Sequence, residues 1–242
     1  MAFFLEVEMD RRGFVKLCTG TVLTAALSQS LRAQAEQIEA CPSAKLVKAD
    51  GSPLKASEIG LGEALVFAYP FNGVPCYLIN LGNHTAHSQA MDSTDDGVYS
   101  NPPGVGKNNN LVAFIAICTH QLSYPTPEIA YLRYAHEGSE LAGKPDRIIC
   151  CAHGSIFDPA EGARVESGVA PAPLLPVALA YDAATDSLSA TGIVGKAFIK
   201  RFFKNFKGEL MERFGPGVYR QNVGETTKAI PLSQYSKDVP AC

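Results

Sequence analysis

The chain has 242 residues, a hydrophobic fraction of 46% and a formal net charge of −3. That length suits one large domain or a small one with extensions, and the apolar content is enough to bury a core. The near-neutral charge argues against bulk nucleic-acid binding, which shows as a strongly basic domain, so no nucleic-acid partner is expected.

The first element in chain order is an address. Asp10-Arg11-Arg12-Gly13-Phe14-Val15-Lys16 places paired arginines before an aromatic residue and a lysine. A mildly apolar, uncharged stretch follows, and then Ala33-Gln34-Ala35, a small-x-small site of the kind cut by signal peptidase. The pattern resembles a twin-arginine export signal. The stretch is short for a membrane span, which needs about 20 apolar residues. Cleavage is the first expectation, and retention as an anchor through residues 14–31 stays open.

Residues 36–60 read as an irregular lead-in. Ala64–Tyr69 and Cys76–Leu81 flank Asn72-Gly73 and Pro75, which predicts a hairpin. Residues 83–110, rich in Gly, Asn, Asp, Ser and Pro, predict a long surface loop. Leu111–Cys118 is a continuous apolar run, consistent with a buried strand. Residues 121–146 read as a polar insertion and Arg147–Cys150 as a short strand. Pro176–Tyr181 and Ser187–Ile193 predict a second hairpin around Asp182–Asp186, preceded by the stiff segment Gly168–Pro173. From Lys196 the period becomes helical. Phe198, Phe202, Phe206, Leu210 and Phe214 recur every four residues, with lysines elsewhere, which predicts an amphipathic basic helix. That helix either packs on the β domain or docks to an acidic partner or anionic membrane surface. The tail after Pro216 reads as polar and irregular.

Two short boxes carry the chemistry: Cys118-Thr119-His120, and Cys150-Cys151-Ala152-His153-Gly154-Ser155. Two cysteines and two histidines can hold structural zinc or an iron–sulfur centre. Zinc fingers usually pair the cysteines in one segment and the histidines in the other, whereas each box here supplies one of each. A C-x-H followed by C-x-x-H-G-S resembles the Rieske iron–sulfur family. Phe157-Asp158-Pro159, Gly162-Ala163-Arg164-Val165 and Gly168–Pro173 resemble that family's following hairpin and proline loop, so the likeness runs from about residue 64 to residue 193.

The resemblance implies an all-β fold: a Rieske-like antiparallel β-sandwich with a cluster-binding subdomain, long loop insertions and the C-terminal amphipathic helix. It divides the chain into a signal or anchor over 1–35, a Rieske domain over 36–195, and a helix and tail over 196–242. It implies a Rieske-type [2Fe-2S] cluster, with Cys118 and Cys150 on one iron and His120 and His153 on the other, exposed for electron exchange. Ser155 is expected to donate a hydrogen bond to a bridging sulfide. The implied function is periplasmic one-electron transfer, by a soluble or membrane-anchored protein. The setting is a quinol:cytochrome c oxidoreductase-like complex, with cytochrome b/c-type partners and quinol, or the small subunit of a molybdenum oxidase resembling arsenite oxidase. An exported zinc-binding β-domain without redox role is the remaining reading. An oxygenase would need further metal-binding histidines, and none follows His153.

The departures from the family are specific. In relatives from quinol-oxidising complexes each loop supplies a further cysteine and the two form a disulfide. The corresponding positions here are Ser123 and Ala152. Cys151 stands where those relatives carry proline, with its partner open. A tyrosine that bonds a ligand sulfur is here Phe157, which implies a lower reduction potential. Cys41, Cys76 and Cys242 remain for disulfide chemistry, with Cys41–Cys242 expected to tie the chain's ends. His84 and His87 read as solvated loop histidines or an adventitious metal site, and His136 is assigned no role.

Overall fold

The computed structural model describes residues 38–242. The expected signal and anchor segment lies outside the described residues. In chain order the strands are β1 (Glu39–Val47), β2 (Leu65–Ala68), β3 (Pro75–Asn80), β4 (Gln89–Ser93), β5 (Gly97–Asn101), β6 (Leu111–Ile115), β7 (Leu132–Ala135), β8 (Arg147–Cys150), β9 (Ser155–Asp158), β10 (Arg164–Ser167), β11 (Val177–Asp182) and β12 (Ser187–Ile193). Helices α1 (Lys196–Asn205) and α2 (Lys207–Phe214) follow, then β13 (Thr226–Lys228), β14 (Ile230–Pro231) and the short helix α3 (Leu232–Tyr235).

The protein is all-β, built from antiparallel sheets with helices at the C-terminal end. One four-stranded sheet runs β11-β12-β1-β13, a second β14-β2-β3-β6 and a third β10-β9-β8-β7. Among the described strands only the β1–β13 ladder is parallel. The second sheet lies between the other two, and its side chains show why. Successive residues of a strand point to opposite faces. Cys76 and Leu78 of β3, with Leu111, Ala113 and Ile115 of β6, join Leu46, Val177 and Leu188 of the first sheet in one core. Tyr77, Ile79, Val112 and Phe114 join Leu132, Ile148 and Phe157 of the third sheet in another. A strand buried on both faces reads as an unbroken apolar run rather than an alternation, as Leu111–Ile115 does. The Tyr77 hydroxyl donates to the Leu132 carbonyl and links the second sheet to the third.

Four of the expectations need correction. The lead-in contains β1, which pairs antiparallel with β12. Its ladder partners are far away in sequence, so no local signal announces it. The loop over 83–110 contains the β4–β5 hairpin, and the polar insertion over 121–146 contains β7, which pairs with β8. The tail after Pro216 is ordered: β13 extends the first sheet, β14 extends the second, and Tyr219, Leu232 and Ser236 are buried.

The predicted C-terminal helix is present as two segments that meet at Phe206. Phe198, Ile199, Phe202 and Phe203 are buried in the core while Lys200 and Lys204 face water. The apolar face is thus covered by the protein's own sheets. Its N-terminus has no local side-chain cap, because Gly195 precedes it. Asp96, from the β4–β5 turn, accepts from the Ala197 and Phe198 N–H groups at 2.8 and 3.2 Å. Asp95 beside it forms a two-pronged ion pair with Arg201 at 3.0 and 2.7 Å. The turn in the long loop supplies the cap that the helix lacks.

Candidate metal centre

The third sheet and its loops form the site. Strand β6 leads into the first loop, a closed turn in which Cys118 N–H donates to Ser123 O (2.8 Å) and Leu122 N–H to Cys118 O (2.9 Å). Leu122 adopts a left-handed backbone, φ 61°, costly for a residue with a Cβ, and it is held there by burial of its side chain in the main core. The second loop joins β8 to β9. His153 and Gly154 N–H groups both donate to Cys150 O, at 3.3 and 2.9 Å, and Gly154 takes φ 72°.

A third loop, residues 168–173, touches both. The Thr119 hydroxyl donates to Ala172 O at 2.6 Å, and Ala170 N–H donates to Ser155 Oγ at 3.0 Å. Gly168 is required by space as well as by its φ of 94°. A Cβ there would sit 2.5 Å from both Gly154 O and Ser155 Cα. Ser155 is fully buried and spends its acceptor on Ala170, which leaves its O–H proton to point elsewhere.

These loops bring the four box residues together in pairs. Cys118 and Cys150 are buried, bear free thiols and lie near enough to act on each other's ionisation. The neighbouring Cys118 side chain, with the Ala152 and His153 backbone N–H groups, holds the Cys150 thiol below its ordinary value against the cost of burial. The Cys150 side chain, with burial, raises Cys118. The rings of His120 and His153 meet edge to face, 4.8 Å between centroids. His153 is exposed and His120 half-buried. His120 Nδ1 is buried with no hydrogen-bond partner among the described residues. A buried nitrogen left unpaired is costly, so this atom fits a role as a metal ligand. Among the described residues no three His, Cys, Asp or Glu side chains converge on one point.

The other candidates resolve differently. The expected Cys41–Cys242 pairing is not formed: Cys242 is bonded to Cys151, while Cys41 and Cys76 are free thiols. Cys76 is fully buried and donates to Tyr69 O at 3.2 Å, so it is inaccessible to a partner. His136, to which no role was assigned, bonds Asp146 Oδ1 through Nδ1 at 2.6 Å, and Tyr134 donates to the same oxygen at 2.7 Å. The exposed His84 ring lies 3.9 Å from the same Asp146 carboxylate. Sequence reasoning missed Thr119, whose hydroxyl ties the first loop to the third, and paired Cys242 with Cys41 rather than with Cys151, which sits beside a candidate ligand. Thr119 lies inside the first box, but its partner is a backbone carbonyl distant in sequence, which no motif encodes.

Fold and site together define an all-β protein in which three interlocked loops bring together two buried thiols, one half-buried imidazole and one exposed imidazole. No family model matches the chain. Among solved structures, the soluble domain of the Rieske protein II (soxF) from Sulfolobus acidocaldarius is similar, with 26% sequence identity and a TM-score of 0.47 over 64% of this chain and 79% of that chain.

Proposed function

We propose that this protein is a one-electron carrier in which Cys118, His120, Cys150 and His153 hold a Rieske-type [2Fe-2S] cluster. The observation that carries the reading is the pairing of two buried thiols with two imidazoles at the surface, one of which has a buried, unpartnered nitrogen. Such a cluster supplies one-electron redox chemistry, and neutral imidazoles on one iron raise its potential above that of an all-thiolate centre. The chain's own residues do the rest. Backbone N–H groups of His120 and Gln121 face the Cys118 sulfur, and those of Ala152 and His153 face the Cys150 sulfur. Such donors favour the thiolate forms. The loop around Ala170 and Ala172, both buried, keeps water from the sulfurs. His120 and His153 form the accessible edge, where a partner's donor or acceptor would dock. Ser155 is set to donate its remaining proton toward the cluster.

In this reading the protein works in the periplasm, exported by the twin-arginine signal and either cleaved or anchored through residues 14–31. Its partners are redox proteins: cytochrome b/c-type subunits of a quinol-oxidising complex, or the large subunit of a molybdenum oxidase. No helix among the described residues is long and apolar enough to cross a membrane.

Iron and sulfide analysis of the purified protein, with an electron paramagnetic resonance spectrum after dithionite reduction, tests the centre. Two irons per chain and a rhombic signal of a histidine-ligated cluster are expected. Zinc in place of iron with a silent spectrum would overturn it. Redox titration should fall low in the Rieske range of about −150 to +300 mV, since buried Phe157 offers no hydroxyl, and a value near the top would refute that expectation. Fractionation of the native host tests export, and accumulation in the cytoplasm would defeat the periplasmic assignment.

A further inference from the structure

The two loops that bear the candidate ligands have no covalent link to each other, since Cys118 and Cys150 are both free thiols. Each loop is nevertheless tied to the same third element, the last residues of the chain. The buried Ser236 hydroxyl donates to Thr126 O at 2.6 Å. Lys237 N–H donates to Pro127 O at 2.9 Å and Asp238 N–H to Glu128 O at 3.1 Å, and Ala130 N–H returns to Asp238 O at 2.9 Å. The tail therefore lies as a short parallel ribbon along the segment into which the first loop exits, with Ile129 bridged to Asp238. It then reaches the second loop. Cys242 closes a disulfide with Cys151, the residue directly after Cys150. Leu141 N–H donates to Cys242 O at 3.4 Å, and Cys151 N–H donates to Tyr131 O at 2.8 Å, back on the first loop's exit segment.

A segment outside the regular elements is loose unless it is tied down. Here it is tied at one end by a row of backbone bonds and at the other by a covalent bond. The anchor falls on a loop whose spread would separate Cys150 and His153 from Cys118 and His120. We infer that residues 236–242 are a strap that positions the second ligand loop against the first, with Cys151 and Cys242 as its positioning residues. The inference rests on the cluster reading for its purpose, though not for its geometry.

The test uses the full-length protein as isolated and two variants, Cys242→Ser and Ser236→Ala. Peptide mapping without reductant should recover a peptide joining Cys151 to Cys242. In Cys242→Ser, amide exchange of residues 151–154 should accelerate at least about tenfold, and iron release to a chelator by a similar factor, because the loop then opens locally. Exchange in the β12 ladder should stay unchanged, which separates loop loosening from global unfolding. Ser236→Ala leaves the disulfide intact and should speed exchange to a smaller extent, mainly over residues 126–130. Unchanged exchange at residues 151–154 in Cys242→Ser, or free thiols at both Cys151 and Cys242 in the wild type, would overturn the strap. If the wild type carries no iron, the cluster reading fails by itself, and the exchange data still decide whether the strap holds the loop.

Discussion

The sheet β14-β2-β3-β6 and the loops of the candidate metal centre sit next to each other and are stabilised in different ways. The sheet is buried on both faces, and each of its core side chains is supported by several neighbours. The loops depend also on individual contacts: Thr119 to Ala172, Ala170 to Ser155, Gly168 against Gly154, and the bond from Cys151 to Cys242. Packing tolerates small changes by relaxing around them, whereas a loop held by single contacts does not. Damage to the sheet should therefore appear as lost stability, and damage to the loops as a lost or altered centre in a protein that stays folded.

The largest effect should come from the candidate ligands. Cys150→Ala or His153→Ala is expected to abolish the reduced-state paramagnetic signal while far-ultraviolet circular dichroism stays that of the wild type. Full iron content in either variant would break the contrast. On the other side, Phe202→Ala removes a fully buried ring from the main core. It should cost about 3–5 kcal/mol in urea unfolding, with an unchanged paramagnetic line shape in the fraction that remains folded. Gly168→Ala tests the boundary between the two regions. The close approach to Gly154 and Ser155 and the positive φ should cost about 1–3 kcal/mol and also shift the spectrum, because the third loop has to move. Asp96→Ala deprives α1 of its only cap and should cost about 1 kcal/mol without any spectral change.

A pH series refines the comparison. Burial pushes the Asp146 carboxyl up, but hydrogen bonds from Tyr134 and His136 outweigh it, and the net shift is downward. A carboxyl depressed in the folded state stabilises the protein above its unfolded pKa, about 3.9, and that contribution is lost as pH falls through the folded value. Asp146→Asn should therefore lower the urea midpoint at pH 7 and weaken its decline below pH 4. An equal decline in variant and wild type would exclude Asp146 as a contributor. The smallest effect is expected at Lys196, whose ion pair with Glu39 lies in solvent. Lys196→Ala should leave the midpoint unchanged.

Much of the site was legible in the sequence because it is local chemistry. The boxes at residues 118–120 and 150–155 each place a thiol and an imidazole within one tight loop, and Gly154 marks the turn that the second loop needs. The hairpins β2–β3 and β11–β12 and the aromatic repeat of α1 and α2 were equally legible, since periodicity and turn residues are short-range signals. β1 and β13 were not. β1 acquires its ladder from β12 and β13, and its own sequence has too few β-formers to announce a strand. β13, in a tail that reads as polar, is a strand because β1 accepts it. The cap on α1 was illegible for the same reason, because it comes from Asp96 in a loop more than a hundred residues away.

The sequence by itself determined the all-β character and the two boxes that bring thiol and imidazole into one loop each, because residue type and spacing within a loop or strand decide those directly. Only the tertiary structure decided the cysteine partner. Seven cysteines allow many pairings, and a disulfide forms where backbones approach within bonding distance. The tail's hydrogen bonds along residues 126–130 deliver Cys242 to Cys151, while Cys76 is sealed in the core and Cys41 lies on β1. Long-range chain placement, set by burial and ladder pairing across the whole molecule, made that choice.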